Sequence, residues 1–349
     1  MTLRSPADLV AAGHVDPARL PELERVAARY AVAVTPDMAE LIDHADDGIG
    51  RQFLPRAEEL LTTPQERADP IGDEVHSPLP GIVHRYPDRV LLKPLHVCPV
   101  YCRFCFRREV VGPGGSGSLT EAELAAALGY VAAHPEIWEV VVTGGDPFLL
   151  SPRRLGAIAA ELAAIPHVRV LRLHTRVPTV DPARVDAALI AALKRFDGAV
   201  FVALHANHPA EFTPAARAAI ARLVNAGIPM VSQSVLLAGV NDDAETLAAL
   251  MRAFVENRVK PYYLHQGDLA PGTAHLRTSI ETGQALVEAL RGRISGLCQP
   301  TYVLDIPGGH GKVPIARAAI SRADDGDGDG ETWRVRDREG RLHAYPPKV

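Results

Sequence analysis

Residues 90–109 read VLLKPLHVCPVYCRFCFRRE, an apolar run followed at once by three cysteines. Cys98, Cys102 and Cys105 account for three of the four cysteines in the chain, and Cys298 is far away. Three crowded thiols and one distant thiol form a poor disulfide framework. The stretch therefore predicts a strand whose carboxyl end carries a metal or redox centre.

Runs rich in β-branched residues recur after this strand and are separated by Ala/Leu-rich amphipathic segments, such as the predicted helices at 120–133 and 242–254. Alternation of this kind predicts βαβ units with right-handed parallel crossovers, and hence an α/β fold with a barrel or partial barrel. The functional face is then the carboxyl ends of the strands. The predicted strands are Val90–His96, Trp138–Thr143, Val168–His174, Ala199–His205, Met230–Leu237 and Pro261–His265.

The chain of 349 residues divides on composition into three parts. Residues 1–80 are rich in Ala, Pro and charge and predict a helical N-terminal region, including 21–30 and 55–61. Residues 81–318 form the barrel domain. Residues 319–349 contain DDGDGDG at 324–330, which is too acidic and Gly-rich to pack well, so we expect a mobile tail without chemistry.

Composition disfavours two classes of partner. A formal net charge of -5, without a long Lys/Arg block, gives no basic field for a nucleic-acid backbone. The N-terminal residues contain no continuous apolar stretch, and no segment approaches the roughly 20 apolar residues of a membrane span. We expect a cytoplasmic protein that acts on a small molecule.

The C-x3-C-x2-C spacing lets one loop supply three ligands to an iron–sulfur cluster and leaves one iron open. The alternative is an incomplete zinc site completed by a histidine, because structural zinc normally takes four ligands. The spacing, with Phe104 before the last cysteine, resembles the signature of the radical S-adenosylmethionine (SAM) superfamily. That resemblance implies a [4Fe-4S] cluster whose open iron binds SAM, and it places TGGDP at 143–147, with Gly144, Gly145 and Asp146, against SAM.

A single lysine, Lys312, lies in the Gly-rich segment PGGHGKVP at 307–314. The segment is not a phosphate loop, because Ile306 stands where the first Walker glycine is needed and Val313 where Ser or Thr is needed. A lysine in such a loop can form a Schiff base with pyridoxal phosphate (PLP).

Residues 75–318 resemble the lysine 2,3-aminomutase family through several separated motifs. The loop with Lys312 is similar to the family's PLP-lysine loop, and HRYPDRVLL at 84–92 is similar to the segment before the cysteines. The resemblance implies a partial (β/α)6-type radical SAM barrel. It also implies that Arg85, Tyr86 and Arg89 surround PLP and its phosphate, a task that suits arginine.

The same resemblance implies the substrate. Arg107 matches the position that pairs with the substrate carboxylate, and Asp268 and Asp305 match two aspartates that hold the side-chain ammonium of lysine. A glutamate side chain facing two carboxylates would be repelled, so L-lysine is favoured over glutamate. The implied reaction is a 5′-deoxyadenosyl-radical, PLP-dependent shift of the α-amino group that interconverts L-lysine and β-lysine.

The implied partners are an electron donor such as flavodoxin or ferredoxin and a second copy of the chain in a homodimer. Cys298 is the last cysteine and is interpreted as a buried small hydrophobe rather than a ligand. Two alternatives stay open: the branch that makes β-lysine for elongation factor P, and a non-enzymatic iron–sulfur electron-transfer or sensor protein.

Overall fold

The computed structural model describes residues 1–112, 117–322, 333–337 and 339–345, and a nine-stranded sheet dominates it. The strands follow chain order, with β2 to β8 parallel and the edge strands β1 and β9 antiparallel to their neighbours. The strands are β1 Ile82–Tyr86, β2 Arg89–Leu95, β3 Glu139–Gly144, β4 Val170–Thr175, β5 Ala199–His205, β6 Met230–Val235, β7 Val259–His265, β8 Thr301–Ile306 and β9 Gly311–Pro314.

Helices connect the parallel strands and are well capped. In α5 the Thr120 side chain and Glu123 form a capping box, and α10 begins after Asp243, whose carboxylate accepts two backbone N–H groups. The helices are α1 Pro6–Ala11, α2 Leu20–Arg29, α3 Pro36–Ala39, α4 Gly50–Phe53, α5 Glu121–Ala133, α6 Pro152–Ala163, α7 Val177–Val180, α8 Ala187–Leu193, α9 Pro214–Asn225, α10 Ala244–Glu256 and α11 Ile280–Leu290.

The predicted partial α/β barrel is confirmed. The six predicted strands correspond to β2 through β7, each within two residues at either end. Strands β1, β8 and β9 were not predicted. The two edge strands are short and half-polar, so neither an apolar run nor a strict alternation marks them in the sequence.

Burial on both faces explains why the central strands are continuously apolar. Val140, Val141 and Val142 on β3 are each no more than 1% exposed, although successive side chains point to opposite faces. Parallel strands with helices on one face and a filled interior on the other show this pattern. The main core lies between the sheet and the surrounding helices.

The two edge strands approach each other across the opening of the barrel. The backbone N–H of Lys312 on β9 donates to the phenol oxygen of Tyr86 on β1, at 2.8 Å. This bond links the first and last strands of the sheet. It holds the segment that carries Lys312 in place from the opposite edge.

The N-terminal region packs on the loop that carries the cysteines. A second core joins Phe53 and Leu54 to Val100 in that loop and Val180 in α7. The backbone N–H of Tyr101 donates to Ala33 O at 3.1 Å. The helical N-terminal region therefore forms one wall around the cysteine loop.

A buried carboxylate stabilises the contact between the N-terminal region and the cysteine loop. Glu59, in the 3-10 turn Ala57–Leu60, is fully buried and accepts from Arg103 Nε at 3.0 Å and from Arg108. Burial opposes ionisation, but the two guanidinium groups hold the pKa of Glu59 below its ordinary value. Both arginines belong to the cysteine segment, so the ion cluster ties the N-terminal region to it.

We expect Glu59→Gln to lower the free energy of unfolding by about 3–5 kcal/mol, because it leaves two buried guanidinium groups without their anion. Urea unfolding of the apoprotein, followed by circular dichroism, measures this change. The neighbouring Glu58 is exposed, and Glu58→Gln should stay within about 0.5 kcal/mol. Equal stabilities of the two variants would contradict the assignment.

The C-terminal tail contains a small separate sheet that was not predicted. Strands β10 Ile320–Arg322, β11 Trp333–Arg336 and β12 Leu342–Tyr345 pair antiparallel. Mobility of the tail 319–349 stays a prediction, and its acidic stretch 324–330 lies outside the described residues.

Within the ranges that the structure describes, no helix combines the length and the apolar composition needed to cross a membrane.

Candidate functional site

One cavity of about 350 Å³ opens at the carboxyl ends of the parallel strands. Every residue that the sequence singled out for a cofactor or substrate lines it, as expected for loops that follow parallel strands. The fourteen residues are Arg85, Tyr86, Arg89, Cys98, Cys102, Phe104, Cys105, Arg107, Gly144, Gly145, Asp146, Asp268, Asp305 and Lys312.

The three candidate cluster ligands are free thiols on the loop that follows β2. A turn in which Cys105 N donates to Cys102 O at 3.1 Å brings the last two together. Arg176 Nη1 lies 3.0 Å from Cys102 Sγ. A cation beside a sulfur stabilises negative charge on it, as thiolate ligands require.

The donor set fits an iron–sulfur cluster. Burial raises the pKa of Cys105 to about 11 and that of Cys98 well above its ordinary value, so the thiols stay protonated until a metal replaces their protons. Among the described residues, no three His, Cys, Asp or Glu side chains converge on one ion. Three cysteines on one loop match the three protein ligands of a cluster with one open iron, whereas a structural zinc ion normally takes four ligands.

The two glycines after β3 have a packing role that the sequence did not indicate. We expected them to let the backbone approach a ligand. A Cβ on Gly145 would lie 2.3 Å from Val97 O, and one on Gly144, at φ +102, would lie 2.7 Å from Leu95 O. Glycine here lets β3 lie directly against the chain that leads into the cysteine loop.

Asp146 anchors neighbouring loops, a role different from the contact with SAM that the resemblance implies. Its carboxylate accepts from the Thr175 hydroxyl and from the backbone N–H of Arg176, both at 2.7 Å, and from Phe148 N at 3.0 Å. Burial raises its pKa. These bonds make Asp146 a positioning residue for Arg176.

A buried polar network holds Arg176 against the cysteine loop. Its guanidinium donates to Gln52 Oε1 at 2.6 Å and to Glu211 Oε2 at 2.8 Å, and it lies 5.5 Å from the centre of the Phe104 ring. The Phe104 ring centre is 5.6 Å from that of His205. Gln52, Glu211 and His205 were missed by the sequence reading, because isolated polar residues carry no pattern.

Lys312 lies beside two other titratable groups. Its Nζ forms an ion pair with Asp305 and lies 3.2 Å from His265 Nδ1. Burial opposes ionisation of Asp305, but His265 and Lys312 together hold the pKa of Asp305 well below its usual range. His265 ends β7 in the sequence PYYLH. It could have been found by the expectation that the carboxyl ends of the strands form the functional face.

The second aspartate predicted to bind the substrate is not paired in this way. Asp268 lines the same cavity, and burial together with the charge of Asp305 raises its pKa to about 7. A cation that enters between Asp268 and Asp305 would relieve this repulsion. The pair therefore favours a ligand with a positively charged end.

Asp73 was not predicted, and it organises the cationic side chains of the cavity, of which Arg85 also lies 4.0 Å from Asp305. Its carboxylate accepts from Arg107 Nη2 at 2.9 Å and from Arg85 Nη2 at 3.2 Å, and it lies 3.7 Å from Lys93 Nζ. Burial opposes its ionisation, but Arg107 and Lys93 lead the charges that hold its pKa below the ordinary value. One carboxylate surrounded by three cations orients the arginines and leaves positive charge for an anionic ligand.

Several buried nitrogen atoms of the residues that line the cavity have no hydrogen-bond partner among the described residues. They are Nε of Arg85, Arg172 and Arg176 and Nε2 of His174, His205 and His265. Buried polar atoms normally have partners, so these atoms point to ligands. Phosphate and carboxylate groups, which PLP and SAM carry, accept from such donors.

Comparisons with known proteins agree with this geometry. The family model described as the radical SAM superfamily matches residues 92–251. The chain is 41% identical to an L-lysine 2,3-aminomutase from Acetoanaerobium sticklandii over 81% of this chain and 69% of that protein, and 41% identical to one from Clostridium subterminale over 81% and 68%. A glutamate 2,3-aminomutase from Clostridioides difficile is 37% identical, over 84% of this chain and 69% of that protein.

Proposed function

We propose the function of this chain from the premise that it belongs to the L-lysine 2,3-aminomutase family of radical SAM enzymes. It is an isomerase that interconverts L-lysine and β-lysine by moving the α-amino group to the β-carbon. Its cofactors are a [4Fe-4S] cluster, SAM and PLP. When bound, the cluster and SAM supply the hydrogen-abstracting radical, and PLP supplies the conjugated system through which nitrogen migrates.

The observation that carries the proposal is the position of Lys312 and the three cysteines on one cavity. An electron-transfer or iron-sensing protein needs the cysteines but does not need a lysine in a carboxylate–histidine pocket. An amino shift by this chemistry needs both cofactors in contact with the same substrate. The shared cavity therefore favours the aminomutase over the non-enzymatic alternative.

The side chains that line the cavity have different binding roles. Cys98, Cys102 and Cys105 hold the cluster, and Lys312 holds PLP. Arg107 binds the substrate carboxylate after release from Asp73, which lies 2.9 Å away in this structure. The walls exclude water, because Asp73, Asp146, Arg176 and Asp305 around the cavity are each less than 10% exposed.

Substrate choice between lysine and glutamate depends on Asp268 and Asp305. Both line the cavity, and their mutual repulsion contributes to the raised pKa of Asp268. The ammonium end of lysine offsets that repulsion. The carboxylate end of glutamate would add a third negative charge and lose its own solvation.

We expect Asp268→Ala to raise the KM for L-lysine roughly ten- to a hundredfold, because a charge-assisted hydrogen bond in a closed site is worth about 1.5–3 kcal/mol. Asp305→Ala should impair turnover at least as much, since Asp305 also contacts Lys312. The PLP absorption band should survive in Asp268→Ala. Anaerobic turnover with dithionite, SAM and each amino acid, with chromatographic separation of products, measures these values.

A matched control comes from Asp197, which is exposed at the amino end of β5, away from the cavity. Asp197→Ala should keep the unmodified KM. Conversion of glutamate but not lysine would overturn the charge argument. If neither free amino acid reacts but a lysine attached to a protein does, the elongation factor P branch replaces free-lysine chemistry.

We also propose the partners of the reaction. Reduction of the cluster needs an electron donor, for which a flavodoxin or ferredoxin is suitable. All four cysteines are free thiols, which supports a reducing compartment such as the cytoplasm. A homodimer remains our expectation, and light scattering of the purified protein tests it.

A further inference from the structure

We propose that His265 is a catalytic residue that carries the proton of Lys312 during attachment and release of PLP. The inference rests on the proposed function, because it assigns a task at the nitrogen atom that would bond to PLP. Neither the cysteine motif nor the lysine loop contains His265, which lies at the end of β7.

The contacts of Lys312 create the need for a proton acceptor. Nζ forms an ion pair with Asp305, and the lysine in an ion pair is an ammonium. An ammonium has no lone pair, so Lys312 cannot attack an aldehyde until it loses a proton. Asp305 is a poor acceptor, since its pKa is held well below the usual range.

His265 is placed to accept that proton. Its Nδ1 lies 3.2 Å from Lys312 Nζ and 3.5 Å from Asp305 Oδ2. An ammonium only donates hydrogen bonds, so the neutral ring accepts from Nζ at Nδ1 and carries its own hydrogen at Nε2. After proton transfer, the Asp305 carboxylate faces the imidazolium and stabilises it.

The other ring nitrogen gives the proton a route into the cavity. His265 is one of the residues that line the cavity, and its buried Nε2 has no hydrogen-bond partner within the described part of the chain. A buried nitrogen without a partner points to a ligand or reacting group. His265 is thus a bridge between Lys312 and the space where PLP would bind.

The surroundings keep the ring neutral and ready to accept. Burial and the charge of Lys312 lower the pKa of His265, and Asp305 opposes this effect. The other titratable side chains near His265 are aromatic or neutral, with the Tyr263 ring centre at 5.8 Å and the half-buried His174 and His205 on β4 and β5. Lys312 and Asp305 are therefore the charged groups that set its protonation.

The proton balance is complete without another reagent. One Nζ–H bond would break as an Nδ1–H bond forms, and Nε2 would give its own proton to the aldehyde oxygen as the lysine nitrogen bonds to the aldehyde carbon. A second Nζ–H bond would then break and give its proton to the same oxygen, and the carbon–oxygen bond would break so that water leaves. The lysine nitrogen has then lost two protons and keeps one. His265 ends neutral and the product keeps a single positive charge. Release of Lys312 reverses these steps.

The test is the rate at which PLP forms its imine absorption band with anaerobically reconstituted protein in a stopped-flow instrument. We expect His265→Ala to be slower by about 100-fold, the ordinary contribution of a general base. Added imidazole should restore part of the rate by occupying the space left by the ring. Iron content and SAM cleavage should stay at the unmodified level, which shows that the variant is folded.

Two further variants separate proton transfer from positioning. His265→Asn keeps an oxygen that can accept from Lys312 but cannot take its proton, so it should be as slow as His265→Ala. His310, exposed in the loop of Lys312, is the matched control, and His310→Asn should react at the unmodified rate. A normal rate in His265→Asn would overturn the inference.

Failure of the proposed function has a different signature. An unmodified protein that never forms the imine band would refute the PLP assignment itself. A protein that forms the band at the same rate with and without His265 would retain the PLP assignment and lose only the proton-transfer role.

Discussion

Replacing any one of Cys98, Cys102 and Cys105 by alanine is expected to abolish the reductive cleavage of SAM. Three thiolates leave one iron of the cluster open for SAM, and removal of any ligand releases or opens the cluster. Loss of Cys102 also removes the sulfur that lies 3.0 Å from Arg176 Nη1, although Arg176 keeps its ion pair with Glu211. These variants should form no detectable 5′-deoxyadenosine.

The measurement uses protein reconstituted with iron and sulfide under anaerobic conditions. Dithionite starts the reaction, and chromatography quantifies 5′-deoxyadenosine, with iron and sulfide assayed in parallel. Cys298 supplies the matched control, because it is buried in the main core away from the cavity, at 4% exposure. Cys298→Ala should retain the cluster and cleavage, while full cleavage by the triple cysteine variant would refute the radical SAM mechanism for this chain.

The second large effect is expected for Lys312→Ala, which should lose the imine absorption band of PLP and all aminomutase turnover while keeping the cluster. The two cofactors attach through segments that are far apart in sequence, so loss of one attachment leaves the other intact. Cleavage of SAM without lysine turnover is the expected combination. Borohydride reduction of unmodified protein, followed by peptide mapping, should recover the PLP adduct on Lys312.

Two other lysines serve in this experiment, one as a control and one as a competing attachment site. Lys194 is exposed, and Lys194→Ala should behave as unmodified protein. Lys93 on β2 is the competitor to be tested, because burial and the charge of Arg107 lower its pKa and raise its neutral fraction. Recovery of the reduced adduct on Lys93 would move the PLP site to β2.

The sequence alone predicted the strands β2 to β7, which the structure confirms, and the candidate site residues, which the structure places on one cavity. Apolar runs mark buried parallel strands, and the loops after their carboxyl ends must share one face of the barrel. The C-x3-C-x2-C spacing and the loop of Lys312 are local patterns. Local patterns can be recognised in the sequence itself, so these predictions did not require the folded structure.

The tertiary structure alone decided which side chains act on one another. Asp73 meets Arg107 across 34 residues, Glu59 meets Arg103 across 44, and Lys312 meets His265 across 47. No spacing rule connects such partners, because folding brings them together through the barrel rather than through helix or strand periodicity. The packing reason for Gly145 has the same origin, since only the folded chain places Val97 O where a Cβ would stand.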